Sequence, residues 1–201
     1  MASEDASSFT QQQCNTERII RMKPITLFLD MDGVLANFDD RYEKIFGVQT
    51  NKLTKDEWDS NWEKWVESKA FENLDWFKGA RDLFEFAREL KETGQIDRLE
   101  ILSASGGQPF HDRVAKQKTL WLKSHGLFKH LDAVNIVESG LIKGEYAHHR
   151  TILIDDTRHV IRNFRNCGGI GLLHGGEIED IMYQVKMVLK LSRFWGRYDE
   201  E

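Results

Sequence analysis

The sequence predicts an α/β fold, a doubly wound parallel sheet of five strands with a small helical cap inserted after the first strand. Five short apolar segments are spread along the chain, and most are continuous rather than alternating, as expected for strands covered on both faces. Amphipathic helical patterns lie between several of them. A helix-like stretch of about forty residues interrupts this alternation after the first strand.

The predicted strands share a high content of Ile, Leu and Val and are bounded by polar residues or glycine. They are ITLFL (25–29), RLEILS (98–103), DAVNIV (132–137), TILID (151–155) and GIGLLH (169–174). Because parallel strands end at the same edge of a sheet, residues that follow them are expected to converge there.

Three helices of the core are predicted from apolar residues at helical spacing. The first runs from Gly79 to Gly94, where glycine suits the C-terminal cap. The second opens at Pro109 and Phe110 and closes near Gly126, and the third is the amphipathic segment of residues 178–189.

The cap is predicted over residues 38–78. Thr54 and Glu57 have the spacing of a capping box, which indicates the start of a helix. Trp58, Trp62 and Trp65 then follow at i, i+4 and i+7 and form one stripe. This stripe is either a core face or a surface for stacking on a nucleobase, and the sequence leaves both interpretations open.

The remaining chain divides into a tail and a core. Residues 1–22 are polar and are predicted to be a disordered tail, whereas residues 23–37 and 79–201 are predicted to form the α/β core. No apolar run has the length of a membrane span, and the N-terminus lacks the apolar centre of a secretory signal. We therefore expect a cytoplasmic protein that does not bind membranes.

Charge and cysteine content exclude several classes of function. The net charge is −5 with a pI near 5.8, which offers a nucleic-acid backbone no general attraction. Two cysteines are too few for a disulfide framework or a cysteine-based zinc cluster. The sequence does not determine the oligomeric state, and a homodimer remains open.

Acidic and polar side chains follow three of the predicted strands. Asp30 and Asp32 end the first strand, Ser103 ends the second, and Asp155 with Asp156 ends the fourth. An Asp-Gly dipeptide alone would suit an ordinary turn. Together, however, these carboxylates are the ligands expected of a Mg²⁺ site, and Lys143 adds a positive charge for anionic oxygens.

This ordered set resembles the haloacid dehalogenase superfamily of aspartate-nucleophile phosphatases. The motif LDMDGVLANF carries the likeness, which runs from residue 25 to about 175. Within the superfamily the chain resembles the 5'(3')-deoxyribonucleotidase and phage-type nucleotidase group. The segments WVESKAFENLDWFKGA, KTLWLKSHG and TILIDD carry this closer resemblance.

The resemblance implies a role for each site residue. Asp30 would be the nucleophile, and Asp32 the general acid/base whose backbone carbonyl also ligates the metal. Ser103 and Lys143 would bind the phosphate. The residues implied as metal ligands or supports are Asp30, Asp32, Asp155 and Asp156, and those expected in the substrate pocket are Phe71 and Trp76.

Three positions depart from the family pattern. Thr157 stands where the family has an arginine, Lys78 replaces a proline, and the spacing from Lys143 to Asp155 is longer by about two residues. The expected protein is a Mg²⁺-dependent phosphomonoesterase for a small phosphate ester, most simply a (deoxy)ribonucleoside monophosphate. The alternatives are a polynucleotide 3'-phosphatase and a non-catalytic binding module with the same fold.

Overall fold

Five strands form one sheet in the structure, a computed structural model that describes residues 23–192. They are β1 (Thr26–Leu29), β2 (Arg98–Ala104), β3 (Ala133–Val137), β4 (Thr151–Asp155) and β5 (Ile170–Leu173). All neighbours are parallel, and their order is β3-β2-β1-β4-β5. The predicted doubly wound sheet is thus confirmed, while the predicted tail at residues 1–22 lies outside the described residues.

The described part of the chain contains α-helices between and after the strands. They are α1 (Phe38–Phe46), α2 (Lys55–Glu67), α3 (Ala80–Glu92), α4 (His111–Ser124), α5 (Arg158–Asn166) and α6 (Ile178–Ser192). Short 3₁₀ segments lie at Thr50–Lys52, Ala70–Asn73, Phe128–His130 and Gly140–Tyr146. No helix within residues 23–192 is both long and apolar enough to span a lipid bilayer.

Alternate residues of the central strands face opposite sides of the sheet, and a separate apolar cluster covers each side. Leu27 and Leu29 belong to the larger cluster, which contains buried residues of α3, α4 and α6. Phe28 belongs to the smaller cluster, where it meets buried residues of α5. The strands are buried on both faces, and this explains why their sequences are continuous apolar runs.

Helix α5 is an element that the sequence pattern does not identify. Its buried residues are Val160, Ile161 and Phe164, and the other positions are mostly arginine, asparagine or histidine. Only one narrow stripe of so short a helix meets the sheet, which gives the sequence too few apolar positions to establish a period.

The cap segment leaves and rejoins the core through a paired stem. Ala36 forms an antiparallel bridge with Trp76, and the Phe77 N–H donates to the Leu35 carbonyl at 2.9 Å. These bonds hold both ends of the insertion beside β1. The helical cap of the fold prediction is present between them, while its division from the core at residues 38 and 78 stays a prediction.

The first turn of α2 forms as the sequence predicts. The Thr54 side chain accepts from the Glu57 N–H, and the Glu57 carboxylate accepts from the Thr54 N–H at 2.9 Å. This reciprocal capping box satisfies donors that would otherwise be unpaired at the helix start.

Candidate active site

The site lies where the sheet changes its winding direction. The chain runs outward from β1 to β2 and β3, then returns so that β4 lies on the other side of β1. Leu29 pairs with Ile154, and the next residues, Asp30 and Asp155, therefore end adjacent strands. Such a switch point, beyond the carboxyl ends of parallel strands, is where ligands bind in open α/β sheets.

Asp30 and Asp155 are both buried and share one lysine. The Lys143 Nζ lies 3.0 Å from Oδ2 of Asp30 and 2.7 Å from Oδ2 of Asp155. Burial alone would disfavour the ammonium, but the charges of Asp30 and Asp155 outweigh it and hold the pKa of Lys143 above its usual value. The Met31 N–H donates to Oδ1 of Asp30 at 2.7 Å and fixes the carboxylate further.

Asp156 adds a third carboxylate to this pair. Oxygen atoms of Asp30, Asp155 and Asp156 lie within 4.8 Å of one another. Loss of surrounding water, followed by the charges of Asp30 and Asp155, raises the pKa of Asp156 to about 7. A divalent cation would remove this repulsion, and hard oxygen ligands of this kind suit Mg²⁺.

Thr157 holds two of these carboxylates in place. Its N–H donates to Oδ1 of Asp155 at 2.8 Å, and its hydroxyl donates to Oδ1 of Asp156 at 3.0 Å. At this position, where the resemblance leads one to expect an arginine, the chain thus has a short side chain that orients the acidic cluster.

Asp32 lies beside the cluster in a different environment. Its Oδ2 is 2.7 Å from Nζ of Lys118, whereas its Oδ1 is buried and has no hydrogen-bond partner among residues 23–192. Loss of water raises the pKa of Asp32 above the usual value, and although the charge of Lys118 opposes this rise, that of Asp30 adds to it. A raised pKa lets a carboxyl group keep its proton to a higher pH, which favours use of the group as an acid catalyst.

Lys118 is a site residue that the sequence pattern does not identify. It is fully buried on α4 and also donates to Ser103 Oγ at 2.8 Å. The sequence does contain one signal for this burial. Lys118 lies between Val114 and Trp121 on the buried stripe of an amphipathic helix. Lysine is almost never fully buried without a partner.

The predicted catalytic, phosphate and metal residues meet in one cleft of about 310 Å³. The residues common to that prediction and the cleft wall are Asp30, Asp32, Ser103, Lys143, Asp155 and Asp156. The cap contributes Phe38, Trp58 and Trp62 to the lining of the same cleft. The tryptophan stripe therefore divides, since Trp58 and Trp62 line the cleft while Trp65 is fully buried.

The two residues expected in the substrate pocket lie elsewhere. Phe71 is 1% exposed and packs against Trp62 and Trp65 in the aromatic interior of the cap. Trp76 packs edge-on against Trp121 and lines a separate cleft. The structure thus differs from the sequence expectation at both positions, because their rings complete packing contacts and do not face the acidic cluster.

Comparison with known proteins identifies a family for this chain. The family model described as 5' nucleotidase, deoxy (pyrimidine), cytosolic type C protein matches residues 23–178. No curated protein sequence matches the chain significantly.

Two solved structures give the fold comparison. A haloacid dehalogenase superfamily hydrolase from Ehrlichia chaffeensis is similar over 83% of this chain and 98% of its own, with 12% identity and a TM-score of 0.53. A haloacid dehalogenase-like hydrolase from Streptococcus pneumoniae is similar over 82% and 97%, with 14% identity and a TM-score of 0.49. The first of these likenesses supports the fold.

Proposed function

This chain belongs to the 5' nucleotidase, deoxy (pyrimidine), cytosolic type C family and is a phosphatase of the haloacid dehalogenase type, and we propose that it is a Mg²⁺-dependent phosphomonoesterase for nucleoside monophosphates. One observation carries the proposal. Three carboxylates from two neighbouring strand ends lie within 4.8 Å of one another, beside the buried Lys143. The three carboxylates are suited to hold a divalent cation, and the ammonium of Lys143 is suited to bind an anionic phosphoryl group.

Asp30 is the proposed nucleophile. An oxygen of its carboxylate forms a bond to phosphorus while the bond from phosphorus to the ester oxygen breaks, which leaves an aspartyl phosphate. Lys143 stabilises negative charge on the phosphoryl oxygens, and Ser103 donates its hydroxyl proton to one of them. Asp30, Asp155 and Asp156 would hold Mg²⁺, together with the backbone carbonyl of Asp32, and the bound ion would neutralise phosphoryl charge.

Asp32 is the proposed acid and then base. Its proton goes to the departing sugar oxygen, which leaves as an alcohol. In the second half of the reaction a water molecule attacks phosphorus and gives a proton to Asp32. The bond from Asp30 to phosphorus breaks, inorganic phosphate is released, and both carboxyl groups return to their starting states.

The cap supports a small substrate with a planar group. Trp58 and Trp62 are stacked on each other with centroids 5.5 Å apart and line the same cleft as the acidic cluster. Stacking of a base on an aromatic ring contributes roughly 1–3 kcal/mol. A cleft of this size accepts a mononucleotide more readily than the end of a duplex. The word cytosolic in the family description supports the proposed cytoplasmic location.

Phosphate release tests the proposal directly. The purified protein is incubated with dUMP, with deoxyribose 5-phosphate, and with a 3'-phosphorylated oligonucleotide, each with Mg²⁺ or with a chelator. We expect Mg²⁺-dependent turnover of dUMP, with a KM about 5- to 150-fold below that of the sugar phosphate, the ratio that base stacking predicts. Faster turnover of the oligonucleotide would instead favour the polynucleotide 3'-phosphatase.

The nucleophile is tested with Asp30→Asn. We expect this variant to lose at least about 10³-fold in kcat, because an amide oxygen is too weak a nucleophile to form the acyl phosphate. Asp39→Asn, on the exposed surface of α1, is the matched control. Unchanged Mg²⁺-dependent activity in Asp30→Asn would refute the assignment.

A further inference from the structure

All three donors of the Lys118 ammonium are used inside the protein. Its Nζ lies 2.7 Å from Oδ2 of Asp32, 2.8 Å from Oγ of Ser103 and 2.7 Å from the Ala104 carbonyl oxygen. An ammonium group has three N–H bonds, so no donor remains for a phosphate. Lys118 therefore differs from Lys143, which lines the cleft.

These bonds determine which atoms of its neighbours are left to bond a ligand. Because Oδ2 of Asp32 accepts from Lys118, the proton that Asp32 transfers belongs on Oδ1, the oxygen without a protein partner in the described residues. Because Ser103 Oγ accepts from the same ammonium, its own hydroxyl proton is free to be donated to a ligand. One lysine thus orients both groups.

Helix α4, which carries Lys118, is bonded to the cap on both sides of that residue. Gln117 Nε2 donates to the Val66 carbonyl at 2.7 Å, and Trp121 Nε1 donates to the Leu74 carbonyl at 2.8 Å. Both donors belong to buried side chains. They link the position of the ammonium to that of the cap segment.

The aromatic ring of Phe71 completes the environment of the ammonium. Its centroid lies 5.0 Å from Nζ of Lys118, within the range of a cation–π contact. Phe71 belongs to the cap and is buried, so its ring gives the ammonium a further contact besides the three acceptors. The buried Phe71 thus contacts Lys118 and not the substrate.

We propose that Lys118 is a positioning residue for this reaction, one that holds Asp32 so that Oδ1 faces the leaving group and holds Ser103 so that its proton faces the phosphate. The proposal rests on the proposed phosphatase function. It predicts that loss of Lys118 harms proton transfer to the leaving group more than it harms phosphate binding. A residue needed only for stability would not produce that difference.

The experiment compares two esters with leaving groups of different quality. The sugar oxygen of dUMP needs a proton as it departs, whereas the nitrophenolate of p-nitrophenyl phosphate does not. In Lys118→Met we expect kcat/KM, which covers the steps up to departure of the leaving group and not the later hydrolysis of the aspartyl phosphate, to fall about 100-fold for dUMP and less than about 5-fold for p-nitrophenyl phosphate, since general acid catalysis contributes about 10² or more. The weakened contact of Ser103 with phosphate should lower kcat/KM by a similar small factor for both esters, so the ratio of the two values isolates proton transfer to the leaving group.

Two further variants complete the design. Lys116→Met replaces an outward-facing lysine on the same helix, away from the cleft, and should leave both esters unaffected. Lys118→Arg keeps the charge but has a planar donor group that cannot match the same three acceptors, so it should show the same selective loss. It serves as the test variant if Lys118→Met does not fold, as judged by circular dichroism and thermal unfolding.

The outcomes separate the two proposals. Equal losses of kcat/KM on both esters in a folded variant, or a wild-type ratio of the two values in Lys118→Arg, would overturn the positioning role alone. If the wild-type protein hydrolyses neither ester with Mg²⁺, the proposed function fails first, and the role of Lys118 fails with it. A selective loss on dUMP supports both.

Discussion

Gly33 lies directly against one of the proposed metal ligands, and this contact yields a sharp prediction. Its φ is +70°, a backbone conformation that residues other than glycine rarely adopt. A Cβ at this position would lie 2.1 Å from Oδ2 and 2.6 Å from Cγ of Asp156. These separations are too short for non-bonded atoms, so in Gly33→Ala the carboxylate of Asp156 must move.

Two separate costs follow from this substitution. The positive φ should cost roughly 1–2 kcal/mol of folding free energy for an alanine. Moving Asp156 adds little to that cost, because the two closest atoms are at the end of its side chain and not in the backbone. Its effect falls on the cation site instead. We expect the apparent Mg²⁺ affinity to fall about 10- to 100-fold, the range found when groups that orient a metal site are disturbed.

Gly47→Ala is the matched control. Gly47 has φ +71°, nearly the same φ, but among residues 23–192 no atom beyond its chain neighbours lies within 4 Å of the position that an alanine methyl group would occupy. Both variants should therefore lose similar stability in urea unfolding. Only Gly33→Ala should need more Mg²⁺, measured as the half-saturating concentration in a dUMP hydrolysis assay.

An unchanged requirement for Mg²⁺ in both variants would contradict this prediction. If Gly33→Ala and Gly47→Ala show the same half-saturating Mg²⁺ concentration as the wild-type protein, the position of Asp156 does not matter to the cation. Asp156 would then be excluded from the proposed metal site, although the pair of Asp30 and Asp155 would remain.

Two further predictions concern stability. Trp121→Phe removes a fully buried indole and its hydrogen bond to Leu74, which should cost about 2–4 kcal/mol in urea unfolding, and a loss under about 0.5 kcal/mol would contradict the packing described. Partial burial opposes ionisation of Asp132, but bonds from Lys91 and the Leu99 N–H outweigh it and hold the pKa of Asp132 below its usual value. Ionised Asp132 therefore stabilises the fold at neutral pH, and this contribution disappears as pH falls through the lowered pKa. Asp132→Asn should thus be about 1 kcal/mol less stable at pH 7, with the gap closing below about pH 4, whereas a gap independent of pH would contradict the ion pair.

The parts of the fold that the sequence predicts are those with strong local signals. The strands are continuous apolar runs because both sheet faces are covered, and the capping box at Thr54 satisfies donors within one turn. Helix α5 escapes prediction because its sheet contact uses only three buried residues. A short helix in a polar segment forms through tertiary packing, which no local pattern records.

The residues of the site also fall into two groups, those that the sequence predicts and those that only the packing places. Asp30, Asp32 and Ser103 follow apolar strands, so parallel pairing alone predicts that they converge. Lys118 lies within a helix, and whether its ammonium points to solvent or to Asp32 depends on how α4 packs. Phe71 and Trp76 are both aromatic residues near the cap stem, but the sequence does not indicate which rings turn towards the cleft.

Sequence patterns were sufficient for the positions of the five strands, the strand ends where acidic residues stand, and the presence of a helical insertion. Each depends on interactions between residues close along the chain or on a periodicity that burial imposes. The folded structure was needed to show that Trp58 and Trp62 line the cleft while Phe71 packs beneath Lys118. Those arrangements depend on competition between side chains from distant segments for the same space, and that competition is resolved only when the cap, α4 and the sheet pack together.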